Sequence, residues 1–348
     1  MKSSAEPPAM LIAIDVSQEM TWIVPGALLT LGLGAFALIG MPQYGAVLPA
    51  LLLLPLWMLA AVALAGLVAV GPILKMMREG VESPIAHCHA FLRSNARALG
   101  FVALCMALAG LNMITFMWVK PLLNYLVPFW ADPLLARIDR AMFGTDPWQL
   151  LNWLNVPVLA HFYHRGWFAL MILVLLKVLV SPTSRQKSAL MLTYFLLWSV
   201  FGPLVHTLLP AAGPVFYARL GHGAAFSGLV MEPETHRAAE YLWQTYANRA
   251  FGPGAGISAM PSLHIATTAW TVIAVWQLAP RWLVPVSLAG TLIFLLSISL
   301  GWHYAIDGIA GAAGAFVIWM ACAAIMRGRT HESFREGVGN QLSLSAKG

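Results

Sequence analysis

Two short segments near the end of the chain carry the residue types that acid–base and nucleophilic chemistry requires. The first, SAMPSLH, spans residues 258–264, and the second, HYAID, spans residues 303–307. Four residues separate His303 from Asp307, a spacing that places two side chains on one face of a helix about one turn apart. In that arrangement the carboxylate orients the imidazole and stabilises its charged form. The two motifs together supply one acid-paired histidine and a second histidine, His264.

The first motif also has the features of an anion-binding site. His264 follows Pro261, a residue that suits the first turn of a helix, and a helix start presents free N–H groups and the positive end of the helix dipole. Ser258 and Ser262 add hydroxyl donors. A lone histidine at a membrane border is more often a packing residue than a catalyst. Two histidines and a carboxylate on one predicted face of a membrane favour an active site for an anionic substrate.

The elements that must position these residues are membrane helices. The chain has 348 residues, of which 59% are hydrophobic and 10% are charged, a composition that excludes a soluble domain. A spanning helix needs about 20 mainly apolar residues, because unsatisfied backbone groups are too costly in hydrocarbon. Eight predicted spans meet this requirement, at residues 21–40, 46–73, 98–118, 165–181, 188–209, 262–279, 283–301 and 303–326. We therefore predict an all-α, polytopic membrane protein whose first span is a retained anchor rather than a signal peptide.

The basic residues predict how the spans are oriented. Thirteen of the 20 lysines and arginines fall in loops and termini on one side, and the other seven fall on the other side, which carries two much longer segments, about 119–164 and 210–261. The positive-inside rule assigns the first side to the cytoplasm. Both termini are then cytoplasmic, and His264 and His303 lie on the outer face. The net charge of +6 is spread among loops rather than gathered on one soluble surface, which argues against a nucleic-acid partner.

The first outer segment is predicted to contain short interfacial helices. Asp132 and Asp146 each offer an N-cap that is followed by proline at the first helical position. The sequences that follow mix apolar and polar residues and include Trp148 and Trp153, as helices in the headgroup plane do. A plain soluble loop is the alternative.

The second outer segment is predicted to cover the site. Residues 232–248 have the composition of a helix, and residues 252–256 are rich in glycine. A loop of about fifty residues is uncommon in a compact protein and is usually functional or disordered. Its glycines let backbone amides approach an anion closely. We interpret this segment as a candidate lid.

The cysteines and the remaining histidines carry weaker signals. The spacing of the cysteines argues against a disulfide framework or a zinc site, and these residues are Cys88, Cys105 and Cys322. His87 and His89 lie on a predicted cytoplasmic loop away from the motifs, where metal binding is disfavoured. His161 and His164 have the spacing of helical metal ligands, but no carboxylate is nearby in sequence, which favours an interfacial role. His206 is predicted either to contact substrate or to pack as a satisfied polar residue.

The two motifs resemble signature motifs of a known family. SAMPSLH and GWHYAIDGIAG look like the second and third motifs of the type 2 phosphatidic acid phosphatase superfamily, most closely its inositolphosphotransferase branch, which includes inositol phosphorylceramide synthase of the aureobasidin-resistance type. The clearest likeness covers residues 256–314, with weaker likeness through WVKPLLNYLVPFWADPLLARIDRAMFG and LLPAAGPVFY. The implied organisation is a two-span region with a cytoplasmic loop at 1–97, a catalytic domain with a six-helix core at 98–326 and a cytoplasmic tail at 327–348.

The resemblance implies metal-independent phosphoryl transfer without a cofactor. By position, His303 attacks the substrate phosphorus and forms a phosphohistidine, while Asp307 holds its other ring nitrogen. His264 protonates the leaving oxygen and then deprotonates the acceptor, which is water or an alcohol. The implied partner is a membrane lipid: a phospholipid, a ceramide-type lipid or a prenyl phosphate. The lipid and the oligomeric state stay open.

The chain departs from the phosphatase branch in two motifs. In the first motif Lys120 and Pro128 keep the family spacing, but Val127 occupies the arginine position, and Leu296 and Ser297 stand where the third motif has Ser-Arg. A phosphomonoester carries nearly two charges and benefits from bidentate arginines, whereas a phosphodiester carries one. The losses therefore favour transfer of a phospho-headgroup between lipids. Candidate phosphate-binding residues are Lys120, Ser258, Ser262, Arg249 and His206, with Arg137, Arg140 and Arg219 as further cations.

Three other functions remain open on the sequence. A lipid phosphate phosphatase acting on phosphatidic acid or a polyprenyl phosphate is the alternative within enzymes. A lipid transporter also has many spans and intramembrane polar residues, but it predicts broken helices at the midplane or repeated halves, and the sequence shows neither. An inactive scaffold is disfavoured by the complete set of two histidines and one aspartate.

Overall fold

The computed structural model describes residues 12–40 and 51–345, with side chains described up to residue 328. Within these residues all regular secondary structure is helical, which confirms the predicted all-α class. The helices are α1 Val16–Gly40, α2 Leu53–Arg78, α3 Pro84–Ser94, α4 Ala96–Leu126, α5 Asp132–Phe143, α6 Pro147–Leu151, α7 Pro157–Val180, α8 Arg185–Leu208, α9 Pro233–Ala247, α10 Leu263–Leu278, α11 Leu283–Ser299 and α12 Ala305–Ser345.

Seven of these helices are long and apolar enough to cross a membrane, so this is a multi-pass membrane protein. They are α1, α2, α4, α7, α8, α11 and α12. The remaining predicted span, residues 262–279, corresponds to α10, an apolar helix of 16 residues. At 1.5 Å per residue it is about 24 Å long, shorter than a hydrocarbon core of about 30 Å. Residues 46–50 of the second predicted span lie outside the described residues.

Several helices run further than the predicted spans, and α4 and α12 show the largest extensions towards the C-terminus. Helix α4 continues past residue 118 and through Pro121 to Leu126, which carries Lys120 and Asn124 to the end of the bundle that holds the motifs. Helix α12 continues through the predicted tail to Ser345.

Helix α10 is the centre of the bundle and sets the position of His264. It packs against α7, α8, α11 and α12. The completely buried Trp270 donates its indole N–H to the Leu190 carbonyl of α8 at 2.8 Å. On the neighbouring face Trp167 of α7 donates to the Thr267 hydroxyl at 3.0 Å. Buried hydrogen bonds of this kind fix the axial position of a helix between its neighbours, because sliding would leave both groups unpaired.

The two N-terminal spans pack on the same bundle. Helix α1 contacts α4 and α8, and α2 contacts α4 and α7. A buried ion pair joins α1 to α8, with the Lys187 ammonium 2.8 Å from the Glu19 carboxylate. The sequence assigns Lys187 to a cytoplasmic turn, but it lies in the first turn of α8 and is 1% exposed. Its charge is neutralised by Glu19 and is therefore weak evidence for topology.

Candidate active site

The two motif histidines face one cavity. The cavity has a volume of about 330 Å³, and both His264 and His303 line it. Their ring centroids are 6.0 Å apart in an edge-to-face arrangement, so both rings border the same part of the cavity. His264 is the second residue of α10, and the ring of Trp167 packs 4.2 Å from its own ring, centroid to centroid.

His303 is held in one orientation by acceptors on its inner ring nitrogen. Its Nδ1 lies 2.9 Å from the Ala259 carbonyl oxygen and 3.6 Å from the Asp307 Oδ2. Because both neighbours are acceptors, Nδ1 carries the proton, and Nε2 keeps a lone pair. A neutral imidazole in this tautomer is a competent nucleophile at Nε2.

The helical relation predicted between His303 and Asp307 is wrong, although the pair itself forms. Helix α12 begins at Ala305, so His303 lies in the turn before it rather than on the helix. The Asp307 Oδ2 accepts the Tyr304 N–H at 2.8 Å and so caps the first turn of its own helix. The Ala259 carbonyl makes the shorter contact to His303, and Asp307 contributes mainly its charge at 3.6 Å.

Two buried aspartates of α5 anchor the segments that carry the site. Asp139 accepts the N–H groups of Ala305 at 2.7 Å and Ile306 at 3.0 Å, at the start of α12. Burial raises the pKa of Asp139 above its ordinary value, and the bonds from these two N–H groups lower it only in part. Helix α5 therefore fixes the turn that presents His303.

Asp132 anchors the loop at Ala212 and Gly213 in the same way. This finding corrects its predicted role as an N-cap. Its carboxylate accepts the N–H groups of Ala212 at 2.9 Å and Gly213 at 2.8 Å, and the Tyr304 hydroxyl at 3.0 Å. The N-cap position of α5 belongs to Ala131, without a side-chain hydrogen bond. The Asp132 side chain lies on the inward face of α5, and burial there raises the pKa of its carboxyl above the ordinary value.

The remaining predictions for the first outer segment have mixed outcomes. Asp146 occupies the N-cap position of α6, but its side chain pairs with Arg140 at 2.7 Å instead of capping the helix. Trp153 is 73% exposed, as a headgroup-plane residue is expected to be, whereas Trp148 is 7% exposed and packs in the core beneath α5. The prediction of short helices here is confirmed.

We expect Asp139→Ala to lower the free energy of unfolding by about 1–3 kcal/mol, because it leaves two buried N–H groups without an acceptor. Asp139→Asn keeps one acceptor oxygen and should cost less. Thermal unfolding of the purified protein in detergent measures both. Equal stability of Asp139→Ala and the wild type would show that Asp139 does not anchor α12.

Lys120 and the glycine-rich segment form one side of the cavity. Lys120 lines it from α4, and Gly254 and Gly256 line it with φ angles of +68° and +89°. A Cβ on Gly256 would lie 2.9 Å from the Lys120 Cγ and 2.7 Å from the Pro121 nitrogen, so only glycine allows this approach. Asn124 clamps the same segment through two hydrogen bonds with Ile257, at 2.6 and 2.7 Å.

Three predicted phosphate-binding residues do not line the cavity. Ser262 caps α10, since its hydroxyl accepts the Ile265 N–H at 3.3 Å. His206 lies behind Ser258, with its Nδ1 3.1 Å from the Ser258 hydroxyl, and it supports this cavity-lining serine. Arg249 is exposed at a turn with a φ of 50°. Of the predicted set, Lys120 and Ser258 reach the cavity.

The three arginines predicted as further cations also lie outside the cavity. Arg140 pairs with Asp146, and Arg219 pairs with Glu240 at 2.7 Å and lies over the Trp243 ring. Arg137 is exposed on α5 and does not line the cavity.

Sequence reasoning missed a third cavity histidine. His164 lines the cavity from a π-helical turn of α7, Phe162–Gly166, although the lack of a nearby carboxylate in the sequence favoured an interfacial role. The carboxylate that the local sequence lacks comes from α9, where Glu234 contacts His161 at 2.7 Å and Arg165 at 3.2 Å. A π-helical turn changes which residues face inward, and no residue pattern in the sequence indicates this turn.

Helix α9 covers the cavity and confirms the predicted helix. It extends over Pro233–Ala247, between Glu232 and Asn248 as the flanking residues. Its residues Ala238, Tyr241 and Leu242 line the cavity. The contacts of Glu234 hold this cover against the start of α7.

Comparison with known proteins gives one result. A family model described as the PAP2 superfamily matches residues 134–321, which is more than half of the chain. The matched range contains both histidine motifs and begins after α4, the helix that carries Lys120. No curated protein and no solved structure matches the chain.

Proposed function

Because this chain belongs to the PAP2 superfamily, a family of phosphatases and phosphotransferases, we propose that it transfers a phospho-headgroup between membrane lipids through a phosphohistidine. In the first step the Nε2 of His303 attacks phosphorus, and the bond from phosphorus to the leaving lipid oxygen breaks as His264 gives that oxygen a proton. In the second step His264 takes the proton of the acceptor hydroxyl. The acceptor oxygen then attacks phosphorus, and the phosphorus–nitrogen bond breaks.

One observation favours a phosphodiester substrate over a monoester. Lys120 is the single lysine or arginine among the described residues that line the cavity. A phosphodiester carries one negative charge and is matched by one fixed cation, whereas a monoester with nearly two charges benefits from bidentate arginines. The proposal extends to the inositolphosphotransferase branch, with phosphoinositol as one candidate headgroup, on the likeness of the two motifs.

The proposed substrate is a lipid that enters from the membrane. Aromatic and aliphatic side chains make up much of the cavity wall, among them Phe216, Leu242 and Trp302. The cavity lies at the end of the bundle where α4 ends and α10 and α12 begin. The bias of basic residues supports an outer location for this end, with both termini in the cytoplasm.

Product analysis with a phosphorus-labelled lipid tests the proposal. We expect the purified protein, given labelled phosphatidylinositol and either ceramide or a diacylglycerol with different acyl chains, to form a new labelled lipid that carries the acceptor's chains, and His303→Ala to form none. Labelled phosphatidic acid is the matched substrate for the phosphatase alternative. Release of inorganic phosphate from phosphatidic acid, without any new labelled lipid from either substrate, would overturn the transferase proposal.

A further inference from the structure

Three buried polar atoms in the cavity wall have no hydrogen-bond partner among the described residues. They are the Tyr163 hydroxyl, the His164 Nε2 and the Trp302 Nε1, and all three residues line the cavity. Buried polar groups in proteins are almost always paired, because an unpaired one keeps the full cost of losing water. Three such atoms on one wall indicate a ligand that supplies the missing partners.

These residues form one continuous surface beside His264. The ring of His164 lies 4.9 Å from the Tyr163 ring and 5.8 Å from the Trp302 ring, centroid to centroid. Tyr163 stacks on His264, with centroids 5.3 Å apart and an interplanar angle of 30°. Trp302 directly precedes His303 in the chain. A group bound to this surface therefore lies next to His264.

The chemistry of this surface differs from that of the Lys120 side. The indole of Trp302 only donates, the Tyr163 hydroxyl donates and accepts, and the His164 Nε2 does either, depending on its tautomer. The nearest cation along the chain, Arg165, is paired with Glu234 outside the cavity. Neutral donors and acceptors match an uncharged hydroxyl group, whereas an anion is matched by Lys120 and the glycine-rich segment.

We propose that Tyr163, His164 and Trp302 form an alcohol subsite, which holds the hydroxyl-bearing part of the departing or accepting alcohol against His264. The subsite deepens the proposed function, on which it rests, because it assigns the oxygen that exchanges a proton with His264 to a defined wall of the cavity. Positioning of that oxygen favours the transfer of the headgroup to an alcohol over its loss to water.

Ligand-induced thermal stabilisation tests the subsite without requiring turnover, since binding to the folded state raises Tm in a saturable way. The two probes are glycerol, an uncharged polyol that corresponds to the hydroxyl-bearing end of the departing diacylglycerol, and inorganic phosphate, an anion. The variants are Tyr163→Phe, which keeps the ring on His264, and His164→Phe. Tyr241→Phe is the matched control, because Tyr241 also lines the cavity but its hydroxyl already donates to the Pro253 carbonyl at 2.9 Å.

We expect each subsite variant to raise the apparent Kd for glycerol about tenfold, the equivalent of one lost hydrogen bond of about 1.4 kcal/mol, and to leave the Kd for phosphate within twofold. Tyr241→Phe should leave the polyol Kd unchanged. General stabilisation by a polyol is not saturable and is equal in all variants, so it can be told apart from binding at the subsite. Saturable polyol binding that neither subsite variant weakens would overturn the proposal. The absence of saturable polyol binding to the wild type would also overturn it.

A larger effect on phosphate than on the polyol would also overturn the proposal, since the wall would then be an anion site. Failure of the proposed function is a separate result, because it appears in the product analysis, whereas probe binding does not require turnover.

Discussion

Replacing His303 with alanine should slow turnover of the lipid substrate by about 10⁴-fold or more, because removing the nucleophile removes the covalent pathway as a whole. The structure supports this size of effect through the tautomer of the ring. The Ala259 carbonyl and Asp307 favour the tautomer with the proton on Nδ1, which leaves the lone pair of the neutral ring on Nε2. In the variant, alanine offers no nucleophile at that position.

The measurement that checks His303 most directly is covalent labelling. Wild-type protein incubated with a phosphorus-labelled donor lipid and quenched in alkaline detergent should retain label on the chain, because a phosphorus–nitrogen bond survives alkali and is lost in acid. His303→Ala should retain none. Label that persists in His303→Ala with the same acid sensitivity would assign the nucleophile to another histidine, for which His164 is the candidate in the same cavity.

Asp307→Asn is the informative companion to His303→Ala. The amide keeps an oxygen that can accept the Tyr304 N–H, so the first turn of α12 should stay intact. The charge near the Nδ1 of His303 is lost, and with it the stabilisation of positive charge on the ring during phosphoryl transfer. We therefore expect labelling of this variant to persist at a lower rate, which separates loss of the nucleophile from loss of its supporting charge.

The sequence contains the motif histidines, but only part of the geometry that makes them a site. Hydropathy and the spacing of polar residues predicted the membrane helices and the pairing of His303 with Asp307. They did not predict that His303 precedes α12, because a helix boundary depends on a cap, and part of this cap comes from Asp139, about 165 residues earlier in the chain. Contacts between distant segments have no local signature.

The position of His164 in the cavity could not be predicted from the sequence, for a different physical reason. A regular α-helix through residues 157–180 gives one assignment of inward and outward faces, and a π-helical turn shifts that assignment. The partner of the adjacent His161 is Glu234 on the covering helix, which sequence proximity does not reveal. Lys120 was predicted from the family-like spacing to Pro128, and it lines the cavity, whereas Arg249 was chosen only for its charge and its predicted side of the membrane.

Replacing His264 with alanine should slow transfer from an alkyl phosphodiester by about 10²- to 10⁴-fold, the usual contribution of general acid–base catalysis. The stacked Tyr163 and the packed Trp167 hold its ring in one position, so a proton is delivered along one direction. The loss should depend on the leaving group. A p-nitrophenyl phosphodiester releases a stable anion without protonation, so its first step should be slowed far less than that of the lipid.

This dependence on the leaving group distinguishes a general acid from a residue that only shapes the cavity. Single-turnover labelling of His303 measures the first step for both substrates, and we expect His264→Ala to accumulate label from the p-nitrophenyl ester, because the second step also needs a base. His87→Ala is the matched control, since His87 lies on α3 and bonds to the Ser83 carbonyl of its own segment. Equal slowing of both substrates by His264→Ala would assign this residue to binding or packing, because a proton donor is needed only where the leaving oxygen is basic.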